Sequence, residues 1–391
     1  MDIKNKKLFY SLFIGYIVLM IVLCVIGTIP KGSNTWEQGA TFYFPYDDQV
    51  LGTEFNIKGS AYSKNDIESI NIVIQPGDII IPVEMERIIY NNEEILTLST
   101  FSTPVSIEGY GDYSATIAMK DSGGIHEYDQ VNFEVPKIIA SGSREFKMFS
   151  LQHIISFLVV FIAYIIIFIM YKMYPNSKTK RIFYAFIALG IVICDIAVKL
   201  WLLKNGVFKA SYDAFLHMCD ISGPLLIILL FMKDSKNRQR LFSMMFIWGV
   251  LGAAMALLTP EMRGNVFPSL YFLTFFIKHG IIVIGVLIVG VIEQYRPRLR
   301  HLPIVIVISI LIVGLIYGAN RLLINIPPFE PGNYMFLSYP PTGGSALDIL
   351  VKLFGPSPYY IVGMVLLAVI LYTLMWVIYL AIEKLKTIKD R

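Results

Sequence analysis

Residues 269–292 read SLYFLTFFIKHGIIVIGVLIVGVI. At about 1.5 Å of rise per residue, a helix of this length crosses the roughly 30 Å hydrocarbon core of a bilayer. Two ionisable side chains, Lys278 and His279, interrupt its apolar run. Such groups are expensive in lipid and face a bundle interior or a watered cavity. One stretch therefore predicts both a membrane span and a polar interior. Seven more runs of spanning length lie outward from it, at about 8–29, 150–172, 182–203, 214–232, 241–258, 303–322 and 358–382. The chain is 55% hydrophobic and only 16% charged, with mean hydropathy +0.62, which excludes an ordinary soluble domain.

The first run follows Lys4, Lys6 and Lys7 and lacks a small-x-small cleavage site, so it reads as an uncleaved anchor. Leu23-Cys24 has the wrong residue before the cysteine for a lipobox. Basic clusters alternate along the chain, at Lys172/Lys178/Lys180/Arg181, Lys233/Lys236/Arg238/Arg240, Arg296/Arg298/Arg300 and Lys384/Lys386/Lys389/Arg391. The positive-inside rule places all of them in the cytoplasm with eight spans, giving a multi-pass plasma-membrane protein with both termini cytoplasmic.

Residues 30–148 are then extracytoplasmic. They carry 18 acidic and 8 basic residues and no cysteine. Short alternating runs predict strands at Thr41–Phe44, Glu54–Lys58, Ile70–Ile74, Ile79–Val83, Ile95–Leu98, Ser114–Met119 and Val131–Val135. Pro76-Gly77-Asp78, Asn91-Asn92 and Gly123-Gly124 supply turns. The fold class expected is an all-α polytopic membrane bundle of about eight transmembrane helices with an inserted extracytoplasmic β-sandwich. Its parts are an anchor (1–29), the sandwich (30–148) and a seven-helix membrane domain (149–391). The three cysteines, Cys24, Cys194 and Cys219, all lie in apolar runs, so no disulfide framework is present, as fits a bacterial cell surface. A second long outside segment, about 323–357, alternates aromatic and apolar residues with proline, reads as packed over the bundle mouth, and contains a short helix at Ala346–Phe354.

Leu216-His217-Met218-Cys219-Asp220, near the start of span four, adds a nucleophile type to the Lys278-His279 pair. Spans four and six both run inward, so these groups lie at compatible depths. On a regular helix His217 and Asp220 share a face, whereas His217 and Cys219 diverge. His279, from another span, is therefore the better base for Cys219, and Asp220 is placed to orient an imidazole. Pro224 leaves the Asp220 carbonyl without its helical partner and predicts a bend. Taken singly, Cys219 reads as a packed thiol and His279 as a helix-bridging histidine. Together, these groups point to a site. Asp195 and Lys199, spaced i, i+4, predict an internal ion pair. Arg321 ends span seven, where a guanidinium suits a lipid phosphate. His126, His153 and His301 read as solvent or interfacial residues. A zinc site is disfavoured because the ligand types diverge on the helix, and no Walker A, HExxH, CxxC or dinucleotide fingerprint occurs. No cofactor is expected.

From Leu216 to about Tyr360 the chain resembles the YwaF-like bacterial integral membrane proteins, which look related to a eukaryotic multispan acyltransferase that remodels ether phospholipids. The resemblance is carried by Leu216–Asp220, Gly249-Val250-Leu251-Gly252 with Ala256–Glu261, Phe275–Gly280, Asn333-Tyr334-Met335-Phe336-Leu337, and Leu347-Asp348 followed by Gly355–Tyr359. It implies a cysteine nucleophile at Cys219, a histidine partner at His279, and acyl transfer through a thioester with a lipid as donor or acceptor. Phe215 stands where the family usually has proline, and the sandwich domain is an addition.

The expectation is a membrane-embedded lipid acyltransferase or acyl hydrolase working at the outer side of the membrane. Cys219 attacks, His279 moves the proton, and His217 and Asp220 assist, while Asn333, Tyr334 and Arg321 position a headgroup. The partners expected are the membrane and an acyl-lipid, not nucleic acid. Two alternatives stand beside it. One is a transporter with Asp195, Lys199, Lys278 and Asp220 along a polar pathway; the other is a receptor or assembly factor whose sandwich binds a cell-surface partner.

Overall fold

A computed structural model describes residues 3–29, 34–35, 37–45, 49–84, 86–88, 97–135, 146–262, 265–326, 332–340 and 346–389. Within lipid a backbone must satisfy its own polar groups, and the long apolar runs do so as helices. Among the described residues, eight helices are long and apolar enough to cross a membrane: Lys7–Gly27, Leu151–Met173, Ser177–Lys204, Ala210–Phe231, Lys236–Leu258, Leu270–Ile292, Leu299–Asn325 and Tyr359–Val377. They are the first to eighth spans below. Four begin where a polar side chain caps free amides, the usual start signal. Ser150 accepts from His153, Asn176 from Lys178 and Thr179, Ser235 from Arg238, and Ser269 from Phe272. The fifth and sixth spans are the most buried, whereas the second, seventh and eighth turn most of their surface outward.

Two spans depart from regular helix in their interior. The fourth is a single turn, Ala210–Asp213, then four non-helical residues, then a helix from Met218 to Phe231 that contains Pro224. The fifth changes to π-helix over Phe246–Gly252. Glu293, just past the sixth span, ties three spans at one end of the bundle. It receives Lys180 at 2.5 Å, the Tyr184 hydroxyl at 2.8 Å and Arg238 at 3.0 Å. Burial alone raises this carboxyl, but the Lys180, Tyr184 and Arg238 donors outweigh it and hold it below the usual range.

Between the first and second spans lie two sheets. The strands are β1 (Gln38–Phe44), β2 (Gln49–Val50), β3 (Glu54–Ser63), β4 (Ile67–Gln75), β5 (Ile79–Pro82), β6 (Glu86–Ile88), β7 (Thr97–Ser106), β8 (Gly111–Asp121) and β9 (Gly124–Val135). One sheet has the order β1-β3-β7-β6 and the other β2-β9-β8-β4-β5. Alternation sets the faces: β4 buries Ile67, Ile70, Ile72 and Ile74. β8 and β9 pair antiparallel from Gly111↔Val135 to Asp121↔Gly124. Six expected strands are present, most of them longer at one or both ends; of the expected Ile95–Leu98 only Thr97 and Leu98, the start of β7, are among the described residues, and β2 and β6 are additional. They are too short to show a period. The Asn91-Asn92 turn, Ile95 and the prolines 327, 328 and 331 lie outside the described residues, as do the side chains of Lys4, Lys6, Lys384, Lys386 and Lys389 and all of Arg391.

The two-sheet core continues into the bundle. Leu202 and Val207 belong to the same buried cluster as Phe42, Ile57 and Phe133, with Val198, Trp201 and Phe208 packed against it. The β-domain therefore sits on the C-terminal end of the third span, with Lys209 3.0 Å from the Tyr43 ring centre. The short helix Ala346–Phe354 forms over the expected residues.

Candidate functional site

The break in the fourth span is held by the loop at 332–340. The Tyr334 hydroxyl accepts the Ala214 amide and donates to the Ala210 carbonyl at 2.6 Å. Burial and the Asp213 carboxylate raise this hydroxyl well above its ordinary value, so it remains a donor. His217 fills the next position. Its Nε2 meets the Tyr212 carbonyl at 3.0 Å, and its Nδ1 faces the Met335 amide at 3.4 Å. A carbonyl only accepts and an amide only donates, so the ring is the neutral Nε2–H tautomer with both nitrogens engaged. The His217 ring also packs between Tyr212 and Tyr334, with centroids at 4.7 and 4.9 Å.

The helix proper starts at Met218, with His217 in extended geometry as its N-cap. His217 therefore does not share a helical face with Asp220, and the i, i+3 expectation does not hold. The first helical bond runs from the Ile221 amide to the His217 carbonyl at 3.0 Å. Cys219 and Asp220 thus occupy the first turn, where amides lack a carbonyl behind them.

Asp220 turns to the sixth span instead. Lys278 Nζ lies 2.5 Å from Asp220 Oδ1 and 2.5 Å from Asp195 Oδ1, and all three residues are buried. The Tyr16 hydroxyl, from the first span, donates to Asp195 Oδ2 at 2.5 Å. The predicted Asp195–Lys199 pair is accordingly corrected. A neighbouring helix offers Asp195 a cation in better geometry, and Lys199 donates to the backbone carbonyl of Asp213. Gly223 makes room for this contact: a Cβ there would meet Ile191 Cγ2 at 2.9 Å and lie 3.7 Å from Asp195 Oδ2.

Lys278 and Asp220 are the chain neighbours of His279 and Cys219. Their ion pair fixes the register in which thiol and imidazole are presented. His279 Nδ1 lies 2.7 Å from the Phe275 carbonyl, and its ring stacks on Phe275 with centroids 4.2 Å apart. The carbonyl can only accept, so Nδ1 carries a proton, and in the neutral ring Nε2 keeps its lone pair. Cys219 and His279 both line one cavity of about 410 Å³. Leu202, Leu251, Met255, Leu367 and Leu371 give it apolar walls, while Lys199, Tyr212, Asp213 and Glu261 contribute polar groups. The π-helical segment presents Ile247, Leu251 and Gly252 to it. A side chain at Gly252 would strike Met218 Sδ at 2.7 Å, next to the nucleophile candidate.

Asn333 and Tyr334 are buried and do not line this cavity; Met335 and Phe336 do. The Asn333 side chain accepts the Ser338 and Tyr339 amides, and Tyr334 exchanges two backbone bonds with the Asn320 amide group at 3.0 and 3.1 Å. Both residues hold the loop against the bundle. Arg321 is exposed and donates to the Tyr317 hydroxyl at 2.9 Å, away from the cavity. His153, expected at an interface, is buried and bonds the Leu257 carbonyl at 2.7 Å; His301 is buried against Ser243 at 2.9 Å. The sequence reading missed Tyr16, whose signal was a phenol inside an otherwise apolar span, where a buried hydroxyl needs a partner. It also assigned no role to Tyr212 or Glu261, which bond each other at 2.5 Å. Among the described residues no group of three or more His, Cys, Asp or Glu is placed to hold a metal ion.

A thiol and an imidazole from two spans around one intramembrane cavity define a polytopic membrane protein with an enzyme-like interior. Residues 148–376 match the TMEM164 family, and the chain belongs to that family. No curated protein matches the chain. Among solved structures, the crystal structure of an engineered protein is similar at 10% identity over 25% of this chain and 20% of that chain, with a TM-score of 0.19. So small a likeness carries no argument.

Proposed function

We propose that the protein transfers or hydrolyses acyl groups of membrane lipids, with Cys219 as nucleophile and His279 as base. One observation carries this reading: the two side chains line a single apolar cavity, and His279 has the unprotonated Nε2 that a base needs. The thiol proton passes to His279 Nε2 as sulfur attacks the ester carbonyl. The amides of the first helical turn face the developing oxyanion. The leaving alkoxide takes the proton from His279, and a thioester remains on Cys219. An acceptor hydroxyl, or water, then gives its proton to His279 and attacks the thioester. The Cys219–acyl bond breaks and the thiol is restored. A volume of about 410 Å³ falls in the range of small-molecule pockets, roughly 300–1,000 Å³. Its aliphatic walls suit an acyl chain.

The β-domain marks the outer side in this proposal. Glu293 with its basic partners marks the cytoplasmic ends of the same spans, in line with the basic loops. The chain then divides into an anchor to residue 29, a sandwich to 148 and the membrane domain beyond, and its substrate lies in the outer leaflet. Incubating membranes with an alkyne-tagged acyl-lipid tests the chemistry. Covalent labelling is expected on the wild-type thiol, none on Cys219→Ser, and about 10²–10⁴-fold slower labelling on His279→Ala. Labelling that persists unchanged in both variants defeats the assignment.

A further inference from the structure

The cavity contains two buried lysines in different circumstances. Lys278 is matched by two carboxylates at 2.5 Å. Lys199 is only 5% exposed, lines the same cavity, and donates to a neutral acceptor, the Asp213 carbonyl. Among the described residues it forms no ion pair. An ammonium has three N–H donors, and the carbonyl takes one. The carboxylates that share the cavity already hold donors of their own. Asp213 Oδ2 accepts the Lys209 amide at 2.8 Å, Asp220 accepts Lys278, and Glu261 accepts the Tyr212 hydroxyl. Asp220 feels the Lys199 charge through space without pairing with it, and a buried ammonium with no carboxylate in contact is expensive, more so within a bilayer. Two spare donors on a cation aimed into an apolar-walled cavity are what an anion requires.

We infer that Lys199 is the anion anchor of this cavity: it holds the phosphate or carboxylate headgroup of an amphiphile whose chain lies along Leu251, Met255 and Leu371. This deepens the acyl-transfer reading by naming the charge of the ligand, and it rests on that reading only for the cavity being where the lipid lies. Ion pairing gives the specificity and the apolar wall gives the grip. A single-chain anion is therefore sufficient as a probe.

The purified full chain in neutral maltoside micelles is titrated with dodecyl phosphate, dodecanoate and dodecyltrimethylammonium, and binding is followed by the rise in melting temperature. The wild type is expected to bind an anion and to prefer it to the cation. Preference for the phosphate points to a phospholipid headgroup, and preference for the carboxylate points to a free fatty acid. Lys199→Met is expected to weaken anion binding about tenfold or more, as loss of a charged hydrogen bond does, while Lys199→Arg retains it. The readout is binding and needs no thioester, which separates a failure of anion recognition from a failure of the acyl-transfer chemistry. Equal affinity of wild type and a folded Lys199→Met overturns the proposal. So does a wild type that takes the cation at least as tightly as both anions, a comparison that stands even if Lys199→Met does not fold.

Discussion

Removing Lys278 isolates the electrostatic device on which the site is built. In Lys278→Met the side-chain length is kept and the charge is lost. Asp195 and Asp220 then share a buried space with no cation between them, their side chains only 1% and 11% exposed. One of them can stay ionised, Asp195 through the Tyr16 hydroxyl or Asp220 through the amides of the first helical turn. The other must take up a proton. At pH 7, protonating a carboxyl whose ordinary value is about 3.9 costs roughly 4 kcal/mol. Breaking a buried pair by deleting one partner costs about 3–5 kcal/mol, the same size. The expected loss is therefore about 4 kcal/mol at neutral pH. It shrinks by about 1.4 kcal/mol for each unit the pH is lowered, because protonation becomes easier. The combined variant Asp195→Asn, Asp220→Asn, Lys278→Met has no buried charge in this cluster, and most of the loss is expected to return. Reversible unfolding of the purified chain in mixed micelles, followed by circular dichroism over a denaturant series, measures all three quantities. The reasoning fails if Lys278→Met lies within about 1 kcal/mol of wild type, or if the neutral combination is no more stable than the single variant.

Two other features give independent predictions. Tyr334→Phe leaves the half-buried Ala214 amide and the buried Ala210 carbonyl without their hydroxyl partner, at about 1–3 kcal/mol for a fully buried group and less for the amide; a lower melting temperature with reduced acyl labelling at unchanged substrate KM marks it as a holder of the site rather than a headgroup contact. In the β-domain, burial alone raises the Asp121 carboxyl, but the Gly123 amide, Asn65, Ser63 and His126 outweigh it and hold it below the ordinary carboxylate value. Its stabilisation is present in full above the unfolded value of about 3.9 and is lost as pH falls through the folded one. Asp121→Asn should thus lower the melting temperature at pH 7, and the gap between the two proteins should close as the solution is acidified below pH about 4; a gap independent of pH would show that the charge contributes nothing.

The spans and strands were legible because they are written locally. Apolar length marks a helix in lipid, alternation marks a half-buried strand, and Ser150, Asn176, Ser235 and Ser269 mark helix starts. That Cys219 and His279 share a cavity was legible for a related reason, since a thiol and an imidazole inside apolar runs stand out against their neighbours. What escaped is pairing across the bundle. The i, i+4 rule joins Asp195 to Lys199 because it considers one helix, while a helix in a bundle has neighbours that compete for the same carboxylate. Lys278 wins because it reaches both Asp195 and Asp220 at 2.5 Å, a contact that Lys199 on the same helix as Asp195 does not make. The break at residues 214–217 escaped for the same reason: its cause is a tyrosine 120 positions away in sequence. That break carries a chemical consequence. On an unbroken helix, Cys219 would have a carbonyl behind its amide and His217 would be one more side chain on the helical surface. With the helix restarted at Met218, Cys219 lies in a first turn whose amides are open, and His217 has both nitrogens committed, so in the proposed mechanism it does not compete with His279 for the thiol proton. In the proposed mechanism the division of labour between the two histidines follows from the loop that carries Tyr334 and Met335, a loop whose Asn333 and Tyr334 the sequence reading had given to the headgroup.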